Sequence, residues 1–310
     1  MMAAPRDESD MTTTVLVAEN AHAAPLKRRS SSRTAYWLLA PGLVWMVLFL
    51  VVPILMMVYV SFWTQTTFKI EPILTTRSWV AFFSSETYLG ALGTTIRIWL
   101  TVLATTILVG YPTALFVGLF VRNKTIQTVL LTLCVIPFWT SFLIRVLAWR
   151  PMLGKEGAIN LILLKLNIIS APIEALLFSD LSVVIGMTQI YCVFMVGPIA
   201  FMLGRIDPNV IEAARDLGAG FWRIFRTIIL PLSMPGVIVG AIFVSVMVLG
   251  EFATSAALSG RKVNLLGNII VTQVGSLKWA FAAVAGVVLT LVIGAVVAAL
   301  LRIVDLRKEL

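Results

Sequence analysis

Six apolar stretches dominate this chain, at residues 35–62, 98–120, 126–149, 181–204, 232–258 and 279–301. Each reaches the length of about 20 residues that an α-helix needs to cross the hydrocarbon core of a bilayer. Hydrophobic residues make up 59% of the chain, charged residues only 13%, and the mean hydropathy is +0.98. Soluble domains carry about 25% charged residues, so the chain reads as an all-α polytopic membrane protein with six transmembrane helices. The first stretch is long enough to tilt or to begin in the interface, with Pro41 and Pro53 positioned to bend it. The third carries Arg145 and the fifth Glu251, which leaves their boundaries less sharp. Only 121–125 separates the second from the third, and Arg122, Asn123 and Lys124 favour a tight polar turn over a merged helix.

Orientation follows from the lysines and arginines, which concentrate on the cytoplasmic side of membrane proteins. With the N-terminus inside, the inner segments (1–34, 122–124, 205–231 and 302–310) hold 14 basic residues. The outer loops 63–97, 150–180 and 259–278 are longer in total and hold 9. Both termini and the 205–231 loop are therefore expected in the cytoplasm of a multi-pass inner-membrane protein. This topology and anionic headgroups account for the net charge of +9, and no basic, aromatic-interleaved soluble domain exists to bind nucleic acid. Residues 1–34 read as a disordered cytoplasmic tail, its Lys27-Arg28-Arg29 and Arg33 anchoring it at the membrane. The apolar run that follows is too long for the core of a cleaved signal and favours a retained first span. Met11 is an alternative start.

The 205–231 loop is charged and amphipathic, and it interrupts the apolar pattern. Asp207 can cap a helix that has Pro208 in its first turn, and Gly218 or Gly220 can end it. A second helix begins at Phe221, and Pro231 marks the return to the membrane. The run Glu212-Ala213-Ala214, then three residues, Gly218, nine residues, Ile228, two residues and Pro231 resembles the "EAA" loop of permease subunits in binding-protein-dependent ABC importers. In that family the loop forms a coupling helix seated in a groove of the ATPase subunit. The resemblance implies that Glu212 orients or caps this helix and that Gly218 ends it tightly. It also implies ATPase contacts by Arg215, Asp216, Phe221 and Arg223.

The rest of the chain offers little chemistry of its own. Cys134 and Cys192 lie within expected spans and read as small buried hydrophobes, and the only histidine, His22, lies in the tail. No cluster suggests a metal site. There is no G-x-x-x-x-G-K-[ST] run, because Gly154-Lys155-Glu156-Gly157 lacks its first glycine and its hydroxyl residue. The chain is thus expected not to be an enzyme and to bind no cofactor. ATP and Mg²⁺ belong to a partner ATPase. A secondary carrier would normally show more intramembrane acidic residues and internal repeats.

A second set of motifs narrows the resemblance. Pro137-Phe138-Trp139-Thr140-Ser141-Phe142-Leu143-Ile144-Arg145, Trp149 and Gly157-Ala158-Ile159-Asn160 are similar to the signature of spermidine/putrescine (polyamine)-type permeases. So are Gly250-Glu251-Phe252, Leu258-Ser259-Gly260 and Leu266-Gly267-Asn268. The similarity spans about residues 35–305 and implies a type I ABC-importer permease fold with a core of spans two to six. It further implies partnership with a second permease, two ATPase subunits and an extracytoplasmic substrate-binding protein. Order along the chain suggests the first permease of the pair. Related permeases carry opines, aminoethylphosphonate or thiamine, so a cationic polyamine-like solute leads but does not stand alone.

Candidate path residues are Trp139, Thr140, Ser141, Arg145 and Glu251. Pro137 frees a carbonyl near position 133, so the segment is either a cavity wall or a kinked packing helix. Arg145 either snorkels, pairs with Glu251 or faces the path. Glu251 lies roughly 10 Å inside its expected span, where a carboxylate needs water, a cation or a proton. It either attracts a cationic solute, pairs with Arg145 or meets a partner subunit. Gly236 with Gly240, and Gly294 with Ala298, offer small-residue faces for close helix packing.

Overall fold

The computed structural model describes residues 32–65, 70–121, 123–260 and 262–303. The expected tail at 1–34 therefore lies almost wholly outside the described residues, as do Arg122 and the chain from 304 onward. Two compact units divide the chain, one ending at Pro53 and the other running from Ile54. Helix α1 (Ser32–Met46) is followed without a gap by a π turn (Val47–Val51) and α2 (Val52–Ser61). The π turn directly precedes Pro53, whose missing N–H breaks the regular ladder. In the first unit Leu43, Val44, Trp45 and Phe49 are exposed.

A short antiparallel hairpin comes next, β1 (Trp63–Gln65) with β2 (Ile70–Leu74), and then the amphipathic helix α3 (Arg77–Ser84). Helix α4 (Glu86–Leu115) continues through a π turn (Phe116–Phe120). It starts well before position 98, and polar residues in its early turns find partners both within the helix and beyond it. Thr95 donates to the Ala91 carbonyl at 2.8 Å, and Arg97 pairs with Asp180 at 2.6 Å.

Helix α5 (Lys124–Val135) comes next, and the Asn123 side chain caps it by accepting from the Thr125 amide at 2.9 Å. The third apolar stretch is not one continuous helix. A 3₁₀ turn (Ile136–Trp139) ends it, and α6 (Phe142–Leu153) leaves in a new direction, bent by 93° from the first half. Pro137 sits at the break, and the Thr140 hydroxyl donates to the Pro137 carbonyl at 2.7 Å rather than to a carbonyl near 133. Helix α7 (Ala158–Lys165) follows, and buried Asn160 stitches the loop beyond it. Asn160 donates to Gly154 and Ile173 carbonyls and accepts from the Ile173 amide.

Helix α8 (Asp180–Leu203) is the axis of the core. Val183, Met187, Met195, Ile199 and Leu203 on it are fully buried, with α4 and α11 (Leu230–Leu249) packed along it. Small residues on α11 permit the approach. A methyl group built on Gly236 would stand 2.7 Å from the Pro198 carbonyl oxygen and 2.9 Å from Ile199 Cα, and one on Gly240 would lie 2.8 Å from Met195 Sδ. Hydroxyl pairs cross between the helices, Thr105 to Thr188 at 2.7 Å and Tyr111 to Ser233 at 2.8 Å, and the Trp99 indole donates to Ser245 at 2.9 Å. Gly294, by contrast, meets nothing within 4 Å, so its small-residue face is unused within the described residues.

The fifth stretch is also interrupted. Helix α11 ends at Leu249, and after Gly250–Phe252 a six-residue helix α12 (Ala253–Leu258) begins. Helices α13 (Leu266–Gly275) and α14 (Trp279–Ile303) complete the chain. Among the described residues five helices are long and apolar enough to cross a membrane, or six if the bent 124–165 pair counts as one span.

Candidate functional sites

The loop between α8 and the helix leading into α11 contains α9 (Pro208–Asp216) and α10 (Phe221–Ile224). Asp207 caps α9 by accepting from the Asn209 amide at 2.9 Å, with Pro208 at the first helical position. Glu212 does not cap the helix. It is exposed in the middle of α9 and makes no hydrogen bond or ion pair among the described residues. Gly218, not Gly220, closes the helix, with φ +78. Its amide donates to Arg215 at 2.8 Å and the Ala219 amide to Ala214 at 3.0 Å, the paired bonds of a Schellman stop. Gly220 is instead the N-cap of α10.

This geometry divides the loop into two faces. Ile211, Ala214 and Ala219 pack against the core, while Ile206, Ile224 and Ile229 are buried in it. Glu212, Ala213, Arg215, Asp216 and Arg223 are exposed, as are Leu217 at 88%, Phe221 and Trp222 at 67%. Arg226 stacks over Trp222 at 6.0 Å. Pro231 sits in the first turn of α11, just after a π turn (Phe225–Ile229). The exposed face is thus an apolar strip rimmed by charges of both signs, on a helix stopped at both ends.

The remaining candidates lie on the corner between α5 and α6, on α6, and just past the end of α11. Trp139, Thr140 and Ser141 form the exposed corner between α5 and α6, with Trp139 88% exposed. Arg145 lies over the Phe138 ring at 5.1 Å, and its Nε is buried without a partner. The ion pairs among the described residues are Arg97–Asp180 and Lys155–Glu174, so Arg145 and Glu251 do not form one.

Glu251 is buried at 8% exposure, and both its carboxylate oxygens are engaged. Oε2 accepts from the Tyr191 hydroxyl, and Oε1 accepts from the Thr254 amide at 2.8 Å. The other motif residues gather around α12. Ser255 donates to the Val263 carbonyl at 2.7 Å and accepts from Asn268 Nδ2 at 2.9 Å. The Leu258 carbonyl accepts from Ser182 at 3.0 Å and from the Phe178 amide at 3.1 Å, and the Leu258 side chain is fully buried against Gly186. Arg150 grips the Ala257 carbonyl through Nε at 2.9 Å and Nη2 at 2.7 Å. Sequence reasoning missed Tyr191, Arg150 and Ser182, because nothing in their own neighbourhoods marks them as polar anchors. An apolar groove of about 620 Å³ runs between α5 and α8, lined by Cys134, Phe138, Phe194, Gly197, Phe201 and Phe243 among others.

Residues 107–309 match the family described as binding-protein-dependent transport system inner membrane component. The chain belongs to this family. It is 34% identical over 251 residues to the spermidine/putrescine transport system permease protein PotB of Salmonella typhimurium (strain SL1344), covering 81% of this chain and 86% of the relative. PotB of Escherichia coli (strain K12) is also 34% identical, with 81% and 90% covered. Among solved structures, a bacterial ABC transporter involved in the import of the acidic polysaccharide alginate superposes with a TM-score of 0.68 at 19% identity, over 89% of this chain and 98% of that one. That likeness speaks for the fold, the all-α polytopic fold of type I importer permeases. As a member of this family the chain is a permease component of an ABC importer in the inner membrane, a transport subunit.

Proposed function

We propose that this chain is the first of two permeases in a polyamine importer and forms half of the path for a cationic solute such as spermidine or putrescine. The observation that carries the reading is the 34% identity to PotB across 81% of the chain. In this reading an extracytoplasmic binding protein delivers the solute to the outer loops. Two ATPase subunits bind and hydrolyse ATP with Mg²⁺, and this chain binds no cofactor. The exposed face of α9 and α10, with Glu212, Ala213, Ala214, Arg215, Asp216, Gly218, Phe221 and Arg223 leading to Pro231, seats in the ATPase. Closure of the ATPase pair pulls the loops together and turns α8 and α11 as rigid bodies, exchanging outward for inward access. Exposed Trp139, Thr140 and Ser141 belong to the path wall.

The test is uptake of labelled spermidine by proteoliposomes holding the complete complex and its binding protein. The expected result is ATP-dependent uptake that unlabelled putrescine suppresses. Suppression by an opine or by thiamine, with none by putrescine, would replace the polyamine by another small solute.

Topology supplies a second test of the same reading. Both termini and the 205–231 loop are cytoplasmic in it, in keeping with the bias of basic residues. Single cysteines at positions 21 and 219, in a background lacking Cys134 and Cys192, are expected to resist an impermeant thiol reagent in intact cells. They should react once the cells are opened. Labelling of either site from outside would reverse the orientation.

A further inference from the structure

We infer that Glu251 is a positioning residue: with Tyr191 it latches the far end of α11 to the middle of α8 and keeps ATP hydrolysis tied to transport. This rests on the importer reading and replaces the idea that Glu251 offers its charge to the solute.

At Gly250 and Phe252 the backbone leaves the helix, Phe252 with φ −138 and ψ −28, so the amides that open α12 have no partners in a preceding turn. A helix of six residues does not hold itself together in isolation. Here other elements hold it at both ends. At its start the Glu251 carboxylate accepts from the Thr254 amide, a charge-assisted bond at 2.8 Å favoured by the direction of the helix dipole. At its finish Arg150 of α6 and Ser182 of α8 take the Ala257 and Leu258 carbonyls.

The second carboxylate oxygen reaches across to the Tyr191 hydroxyl on α8. Each oxygen already accepts one hydrogen bond and only 8% of the residue is exposed, so the carboxylate is committed to protein partners more than to open space. The tie also joins two particular helices. Helices α8 and α11 both run from the coupling loop, and Tyr191, midway along α8, and Glu251, just past the end of α11, fasten them away from it. A displacement that starts at the loop is therefore carried to α12 as one body, because α8, α11 and α12 cannot shear past one another while the latch is closed.

The experiment uses the reconstituted complex with its binding protein and compares Glu251→Gln, Tyr191→Phe and the double variant. Spermidine uptake is measured over a range of concentrations, together with ATPase activity with and without the binding protein. Each single variant is expected to lower Vmax about tenfold, the effect of losing one charged hydrogen bond, with KM within about twofold of wild type. ATPase activity without binding protein should rise toward the stimulated rate. The double variant should be no worse than either single one, since both remove the same interaction. A merely structural role would lower the amount of folded complex and leave the ATPase ratio of what remains unchanged, which would overturn the proposal.

A rise in KM in Glu251→Gln, with Tyr191→Phe behaving as wild type, would overturn it in favour of contact with the solute. If Glu251→Gln does not assemble, Tyr191→Phe and Arg150→Gln carry the test, and wild-type coupling in both would refute the latch. Failure of the importer reading would look different, because the wild-type complex itself would then show neither uptake nor ATPase stimulation by the binding protein.

Discussion

Replacing Gly218 by leucine is expected to abolish ATP-driven uptake while the membrane helices remain folded. Gly218 holds φ +78 at the end of α9, a conformation that costs a residue with a Cβ about 1–2 kcal/mol. Nothing lies within 4 Å of where the Cβ would stand, so the damage comes from backbone strain and not from collision with the core. Relieving that strain opens the bonds from Gly218 to Arg215 and from Ala219 to Ala214, and α9 frays where its exposed face begins. Glu212→Lys tests the same face from the side-chain end. Glu212 caps nothing, so reversing its charge should spare the fold and still block coupling. The measurement is uptake and binding-protein-stimulated ATPase activity in the reconstituted complex. Normal values in both variants would remove the coupling role from this loop.

Gly236→Val is expected to have the other large effect, and it acts on the fold itself. The added atoms would meet the Pro198 carbonyl oxygen and Ile199 Cα, both backbone, which no rotamer change can relieve. Forcing groups into a packed interior typically costs about 1–3 kcal/mol, and a collision with backbone falls at the upper end or beyond. Since α8 and α11 form the centre of the core, the helices must separate to accommodate the side chain. The expected outcome is a marked loss of folded protein in the membrane and a lowered Tm in detergent. Gly294→Val serves as the comparison, because nothing in the described chain lies within 4 Å of that glycine. Equal stability of both variants would refute the packing argument. Loss of assembly with the second permease in Gly294→Val alone would instead place the α14 face at that interface.

How far the site could be read in advance depended on whether its chemistry was local. The loop was legible because its signals act within a few residues. Asp207 bonds the amide of Asn209, Pro208 takes the first helical position, and Gly218 bonds three residues back to Arg215. The sequence left Gly218 and Gly220 as rival stops. The structure uses both, one to end α9 and the other to begin α10. Glu212, read through the resemblance as orienting or capping the helix, stands at its fifth position, past the first turn, and the cap is Asp207.

Apolar length and charge distribution determined the class of this protein unaided, since a bilayer demands long runs whose backbone is satisfied within a helix. They did not determine where those runs break. Pro137 marked a disruption, but a proline in an apolar run is compatible with a gentle kink, and the 93° turn depends on where α6 can pack. The hairpin at 63–74 and helix α12 were invisible, because three to six residues carry too little periodicity to register. Glu251 shows the limit most plainly. Its depth in an apolar stretch announced that it needed a partner. The fold brings up Tyr191 from sixty positions away and turns the next helix so that its amide faces the carboxylate, partners that no local pattern announced. A buried charge states its requirement in the sequence, and only packing in three dimensions selects what meets it.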